Sequence, residues 1–457
     1  MFFPDAFLIL EGDSSMEKSL VKDFSKYVSL NILGMIGVSF YILADTYYIA
    51  KALGATGIAA LNFAIPVFSI ILGIGLMIGI GGAARFGILK SRNKHKEAEA
   101  VFAGALKLGT LAGLLFAVLG LFGSKALSSI LGADAVTLPL THAYMATIMV
   151  FAPVFILNNT VLAFVRNNNN PRLAMLAMIG GSVSNVILDY IFLFPLKMGM
   201  FGAAFATSLA PIISLGILSI HFAKKKSRPA ILKHKLTRPA IKDILNLGSS
   251  TFIMEVSSAV VLTTFNLLIL GLEGNKGVAA YGIVANIAFV AVAIFTGLGQ
   301  GVQPLISKYY GLKDRKTVRR VNRYALLTAG FIAALIYLGT FFNSEALIGL
   351  FNNENDPVIL RLADSGMKIY FLGFFFVGIN IVTAMILSAT EKGRAAFVLS
   401  VLRGLAVIVP MAILLSSLWG MTGIWSSFVL SELIVAGFAL YLTTATEKGT
   451  IAYGNPD

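Results

Sequence analysis

Two residues four apart, Asn185 and Asp189, stand in the apolar run SNVILDYIF, where they share one helix face. An ionised residue at membrane depth costs at least about 2.5–3.5 kcal/mol, so it needs a partner or a function. No basic residue lies within a helical turn of Asp189. Burial disfavours the charged form of a carboxyl group, which poises it to take a proton from a gradient. With Asn185 and Thr207 (in GAAFATSLA) adding neutral oxygens, the same carboxylate could instead hold a hard monovalent cation. Asp45, in VSFYILADTYYIA, is the other candidate, unless it sits in water at the outer interface. Thr207 by itself would bond its own helix backbone. Glu255 is a further isolated carboxylate; Lys107 and Arg403 are expected to snorkel or to pair with a carboxylate, and Asp364–Lys368 to form an interfacial ion pair.

These residues must be positioned by membrane helices. The chain is 57% hydrophobic with 13% charged residues and a mean hydropathy of +0.84, against about 25% charged in a soluble domain. With no Cys, disulfides, thiolate metal sites and Cys nucleophiles are excluded; the four His are scattered, so no metal site is expected. Residues 1–10 are too short and lack the basic flank of a signal peptide, and Met16 opens a more conventional start, so residues 1–15 read as an extension.

A span needs about 20 apolar residues. Twelve are predicted: 27–49, 56–84, 98–122, 141–165, 173–195, 200–223, 245–271, 278–306, 322–343, 366–388, 395–417 and 420–444. The expected organisation is all-α: a cytoplasmic N-terminal tail (1–26), an amino-terminal six-helix lobe (27–223), a basic linker (224–243), a carboxy-terminal six-helix lobe (244–445) and a tail (446–457). Alternate connections differ sharply in charge. One set, including Lys18, Arg85, Arg166, the 224–243 linker, Arg315 and Lys448, carries 28 Lys and Arg. The other holds Lys51, Lys125, Lys197, Lys276 and Arg361, so the first set is cytoplasmic, with both termini. The net charge of +14 therefore reads as membrane orientation rather than as a nucleic-acid footprint.

The lobes repeat. Residues 53–101 align without gaps with 273–321, matching Gly54 with Gly274, Gly79 with Gly299, Gly81 with Gly301 and Lys96 with Lys316. At an offset of 221, Gly199-Met200 and Gly202 match Gly420-Met421 and Gly423. Six spans per lobe give both lobes one orientation, a repeat about an axis along the membrane normal, as in transporters that rock one half against the other.

Four segments resemble the multidrug and toxic compound extrusion (MATE) family: DTYYIAKALGATGIAALNFAIP (45–66), GIGLMIGIGGAARFG (73–87), NVILDYIFLFPLKMGMFGAAFAT (185–207) and GVAAYGIVANIAFVAVAIFTGLGQGVQPLISKYYG (277–311). The likeness covers nearly the whole chain. It implies two V-disposed lobes around a cleft, export of lipophilic cationic compounds in exchange for protons or sodium, and no cofactor beyond that ion. The DinF-like branch has an amino-lobe site matched here by Asp45, Asn185, Asp189 and Thr207, where sodium would also sit; Asn158 and Asn159 resemble nearby network residues. Glu255 resembles the seventh-helix carboxylate of the NorM-like branch, whereas Asp364 lies too near the outer end to match its tenth-helix partner. With both lobes in one chain, a monomer is expected to suffice.

A lipid-linked oligosaccharide flippase of the same superfamily is the alternative. It would use Arg403, Lys368 and Lys107 against an anionic lipid phosphate, whereas Asp45, Asp189 and Glu255 favour a cation. A membrane-embedded enzyme needs an interfacial cluster of His, Asp or Glu on a long loop, and none is present. A channel lacks its selectivity loop. The 15 Met and 34 Phe mostly face lipid or neighbouring helices, with some available to line an adaptable pocket.

Overall fold

Lipid offers no partner to a free N–H or C=O, so a spanning chain closes its hydrogen bonds within helices. The computed structural model describes residues 14–224, 237–352 and 356–447, and these are helical almost throughout. The helices are α1 (Ser14–Ser91), α2 (His95–Ile130), α3 (Leu138–Val150), α4 (Ala152–Asn167), α5 (Pro171–Leu193), α6 (Gly199–Lys224) and α7 (Arg238–Gly311). There follow α8 (Arg315–Phe342), α9 (Ser344–Gly349), α10 (Pro357–Tyr370), α11 (Phe374–Ala389), α12 (Gly393–Val401) and α13 (Ile408–Glu447). A 3₁₀ turn at Phe371–Gly373 joins α10 to α11, and a π-helical turn at Leu402–Ala406 joins α12 towards α13.

Three of these rods are two spans each. α1 breaks at Gly54 (φ 63°, ψ −157°), α7 at Gly274 (φ 61°, ψ −154°) and α13 at Gly420 (φ 57°, ψ −132°). α3 and α4 form one span bent by 49° at the proline-led start of α4. So divided, the helices make twelve spans, and each predicted span falls on one of them. The prediction ran two residues past α5, where the chain turns at Phe194, and it placed a tail up to residue 26 where α1 is already helical from Ser14. The tail before Ser14, most of the basic linker and the stretch after Glu447 lie outside the described residues.

The repeat is a repeat of backbone conformation. Besides Gly54 and Gly274, left-handed residues recur at Asn93 and Lys313, at Asn169 and Glu391, and at Gly199 and Gly420. Each pair sits in the connection between equivalent spans, so the two halves turn at the same places, two of them on glycine in both halves and two on different side chains.

Two apolar cores follow the lobes. One is built mainly from Ile49 to Ala204 and the other mainly from Phe265 to Phe428. At the end bearing the basic loops, each lobe takes in the first turns of the other's leading helix. Leu20, Phe24 and Val28 of α1 belong to the second core, and Ile244 of α7 to the first. The crossing is close because glycine removes the side chain there. A Cβ at Gly81 would run into the backbone of Ile244 and Gly248, and one at Gly301 would lie 2.8 Å from Val28 Cα. Gly81 and Gly301 are repeat partners, so the two crossings are equivalent.

Two expectations follow for these glycines. Gly274 needs a backbone conformation nearly reserved for glycine, yet a Cβ there meets nothing within 4 Å. Gly274→Ala should therefore destabilise by about 1–3 kcal/mol through backbone strain alone. Gly123→Ala, equally open but helical, should cost nothing, both read by thermal unfolding in detergent. Gly81→Val should oppose closure at the basic end by about 1–3 kcal/mol. Spin labels placed on either side of that junction, in a chain with no native Cys, should report a longer distance.

Candidate functional site

Asp45 lies on α1 nine residues before its break, Asn185 and Asp189 lie on α5, and Thr207 lies on α6. All four are buried, Asn185 and Asp189 fully. The i, i+4 spacing does bring Asn185 and Asp189 together. The Asn185 amide is oriented by its neighbours: Nδ2 donates to Asp189 Oδ2 at 3.0 Å, and the amide oxygen accepts from the Thr207 N–H at 3.3 Å. Thr207 Oγ1 lies 3.4 Å from the same amide group. The carboxyl groups of Asp45 and Asp189 are within hydrogen-bonding reach of each other. Two carboxyl groups can share such a contact only if a proton or a cation lies between them, because two bare carboxylates repel. One oxygen of each, Oδ1, has no other partner. No ion pair joins either carboxylate to a Lys or Arg among the described residues.

Two tyrosines complete the cluster. Tyr144 of α3 is buried, and its hydroxyl contacts Thr207. Tyr41, one turn before Asp45, faces both carboxylates. Neither stood out in the sequence, because a tyrosine in an apolar span has many ordinary uses and only the folding of α3 onto α6 selects this one. Further outward, Tyr48, Tyr190 and Phe194 pack together with ring centroids 5.4–6.2 Å apart, which places an aromatic layer beside the site.

The remaining candidates fall elsewhere. Asn159 bonds the carbonyl of Phe155 at 3.1 Å and packs on Gly75 and Gly79 of α1, a helix-packing role; Asn158 has a buried Oδ1 with no partner. No hydrogen bond ties either to the Asp45–Asp189 cluster. Glu255 sits on α7 against Gly73 of α1, between the lobes, with no hydrogen bond or ion pair among the described residues. Asp364 pairs with Lys368 at 2.8 Å and accepts from Ser344 at 2.6 Å, an ion pair at the end of α10 as expected. Arg403 pairs with a carboxylate, also as expected: its Nε lies 2.8 Å from Glu432 Oε1 and 3.1 Å from Oε2. Glu432 itself was missed, although a single Glu inside the span 420–444 is a signal of the same kind as Asp189.

Arg166 requires a correction. Counted among the basic loop residues, it is fully buried at the end of α4. Its Nη1 donates to Asn31 of α1 at 2.6 Å and to Gln300 of α7 at 2.6 Å, while the neighbouring Asn167 donates to Gln303 at 2.8 Å. Outside this buried bridge, Arg85 of α1 pairs with Asp243 of α7 at 3.2 Å and with Glu391 beyond α11. Polar bonds between the lobes thus gather at the basic end, where the glycine crossings also lie. The Gln300 and Gln303 side chains, three apart in an apolar span, were the available sequence signal.

The MatE family model matches residues 31–191 and 251–414. The multidrug export protein MepA of Staphylococcus saprophyticus is 26% identical over 428 residues, covering 93% of this chain and 94% of that protein. Among solved structures, an outward-facing conformation of a multidrug resistance MATE family transporter of the MOP superfamily superposes with a TM-score of 0.87 at 23% identity, covering 96% of this chain and all of that one. VcmN, a MATE transporter of Vibrio cholerae, gives a TM-score of 0.88 at 21% identity, covering 96% and 99%.

Thr207→Val tests the cluster without changing its volume. Removing the hydroxyl strands buried polar partners, at a cost of about 1–3 kcal/mol. The expected outcome is a protein that still folds but is less stable by that amount, read by thermal unfolding in detergent.

Proposed function

The chain belongs to the MatE family, and from that premise we propose that it is a secondary antiporter that exports lipophilic, cationic compounds in exchange for protons or sodium. One observation carries the reading: two buried carboxyl groups, Asp45 and Asp189, face each other without a basic partner. Such a pair is stable only with a proton or a monovalent cation between its members, and so its occupancy follows the ion supply. Because α1 brings one carboxyl and α5 the other, an ion bound between them favours the arrangement in which those helices meet. Loss of the ion favours the other, which is the differential affinity that coupling needs.

We take the coupling site to be Asp45, Asn185, Asp189 and Thr207, joined by Tyr41 and Tyr144, which accords with the DinF-like branch. Sodium would find the two unpartnered Oδ1 atoms and the Thr207 hydroxyl as oxygen ligands, joined by the Asn185 amide oxygen once that amide turns from the Thr207 N–H. From the charge of the loops we take the Arg166 end and both termini to be cytoplasmic. On that orientation the lobes are closed inside, and the cluster lies in the outer half, nearer the source of the coupling ion. Glu255, between the lobes and without a partner, is the carboxy-lobe contribution to an anionic cleft that would draw lipophilic cations. The relative named as a multidrug export protein supports export of drugs as the activity. The flippase alternative needs free cations in the cleft, and Arg403 and Lys368 are each held by a carboxylate.

Asp189→Asn should fold and insert normally yet lose gradient-driven efflux of ethidium by at least about tenfold in proteoliposomes. Imposed sodium and pH gradients, applied separately to the native protein, identify the ion. Normal efflux by the variant would remove Asp189 from coupling. Tighter binding of an anionic lipid phosphate than of a quaternary ammonium dye would overturn the substrate class.

A further inference from the structure

The carboxy lobe contains a second buried polar cluster that the export reading does not use. Glu432 of α13 is 4% exposed and lies deep in its span. Arg403 reaches it from the π-helical turn, which also lets Gly404 press against Ser257 of α7. Asn380 of α11 donates to Glu432 Oε2 at 2.6 Å and to the Glu432 carbonyl at 3.0 Å. Buried oxygens on the same helices have nothing to bond: Oδ1 of the Asn380 amide that holds Glu432, Thr383 Oγ1 one turn along α11, Ser400 Oγ one turn before Arg403, and Oγ of Ser431, the residue before Glu432 in the chain.

The repeat relates this cluster to the amino-lobe site. α11, α12 and α13 are the counterparts of α4, α5 and α6, as the left-handed pairs Asn169–Glu391 and Gly199–Gly420 show. On that correspondence Asn380 takes the place of Asn158, and both have an unpartnered buried Oδ1. Glu432 falls one turn to the basic side of the Thr207 counterpart, and Arg403 about one turn to the basic side of the Asn185 counterpart. Each lobe therefore buries carboxyl groups and neutral oxygens within about a turn of the same level, on different helices of the repeat, and Asn158 stands outside the amino-lobe cluster. The amino lobe has two carboxyls and no basic partner; the carboxy lobe has one carboxylate and a guanidinium.

We propose that Arg403 is a built-in cation that fills a carboxy-lobe site for a monovalent cation, with Glu432 as its anionic ligand and Asn380 and the hydroxyls on the same helices as its neutral ones. Filled in this way, the site exchanges nothing with the medium, and ion exchange is left to the amino lobe; that last clause rests on the coupling role proposed above. A guanidinium suits the task because it keeps its charge at any working pH and grips both carboxylate oxygens. The unpartnered hydroxyl and amide oxygens are the part that a simple structural ion pair would not require. They are the ligands that a hard cation would take if the guanidinium were absent.

The test uses a hydrophobic carbodiimide, which forms an adduct with protonated carboxyls in apolar surroundings, read peptide by peptide by mass spectrometry on full-length protein. In the native protein, Glu432 should stay unmodified. In Arg403→Met, Glu432 should be modified. Protection of that adduct by sodium but not potassium identifies a sodium site, and protection only by alkaline pH identifies a proton site. Among the described residues, Tyr370 of α10 also faces Glu432 and in turn faces Tyr281 of α7. A Glu432 adduct in the native protein, or none in a folded, monodisperse Arg403→Met, overturns the proposal. If Arg403→Met does not assemble, the neutral pair Arg403→Met with Glu432→Gln is the second variant, since replacing both partners of a buried pair is well tolerated. It should export at the native ion-to-substrate ratio, and a changed ratio overturns the proposal. Labelling at Asp45 and Asp189 in the same digests reports on the amino-lobe reading separately, so the two can fail independently.

Discussion

Taking an ionised side chain out of water costs several kcal/mol unless a partner repays it, and this constraint organises the interior of the bundle. Three buried arrangements meet it differently. Glu432 meets Arg403, a pair of opposite charges with Asn380 adding a hydrogen bond. Arg166 has no carboxylate partner among the described residues and is held by the amide oxygens of Asn31 and Gln300. Asp45 and Asp189 meet each other, and can do so only with a proton or cation between them. The first two carry their own partners. The third depends on the medium for one, which is what an ion-coupled site requires.

The same constraint explains where the lobes are joined. Bonds between lobes are strong where they are dry, and the close crossings at Gly81, Gly248 and Gly301 exclude solvent from the basic end. Arg166 and Gln303 are buried there because backbones can approach where no side chain intervenes. The junction joins these polar bonds to apolar contacts made by Leu20, Phe24 and Val28 of α1 and by Ile244 of α7.

The repeat sets limits on function as well as form. Equivalent turns recur at Asn93 and Lys313 and at Asn169 and Glu391, so the scaffold tolerates wide change in side chain while holding its backbone. On this scaffold each lobe has placed different polar residues on different helices of the repeat. Asn158 and Asn380 keep a common residue type, whereas Glu432 and Arg403 have no matching residue in the amino lobe.

Much of this was legible in the residue order. Apolar length set the twelve spans, because each must cross about 30 Å of hydrocarbon. The offset glycines set the repeat, because a positive φ with ψ near −155° is nearly closed to other residues. Asn185 and Asp189 were tied to one another by helical periodicity alone. Other assignments needed the fold. That Asp45 meets Asp189 depends on how α1 packs against α5, and that Tyr144 touches Thr207 depends on the bend between α3 and α4. Arg166 looked like a loop cation from its neighbours in the chain, and its burial follows only from α1 and α7 crossing over it. Periodicity reports which residues share a face of one helix; which faces meet is decided by packing between helices far apart in the chain.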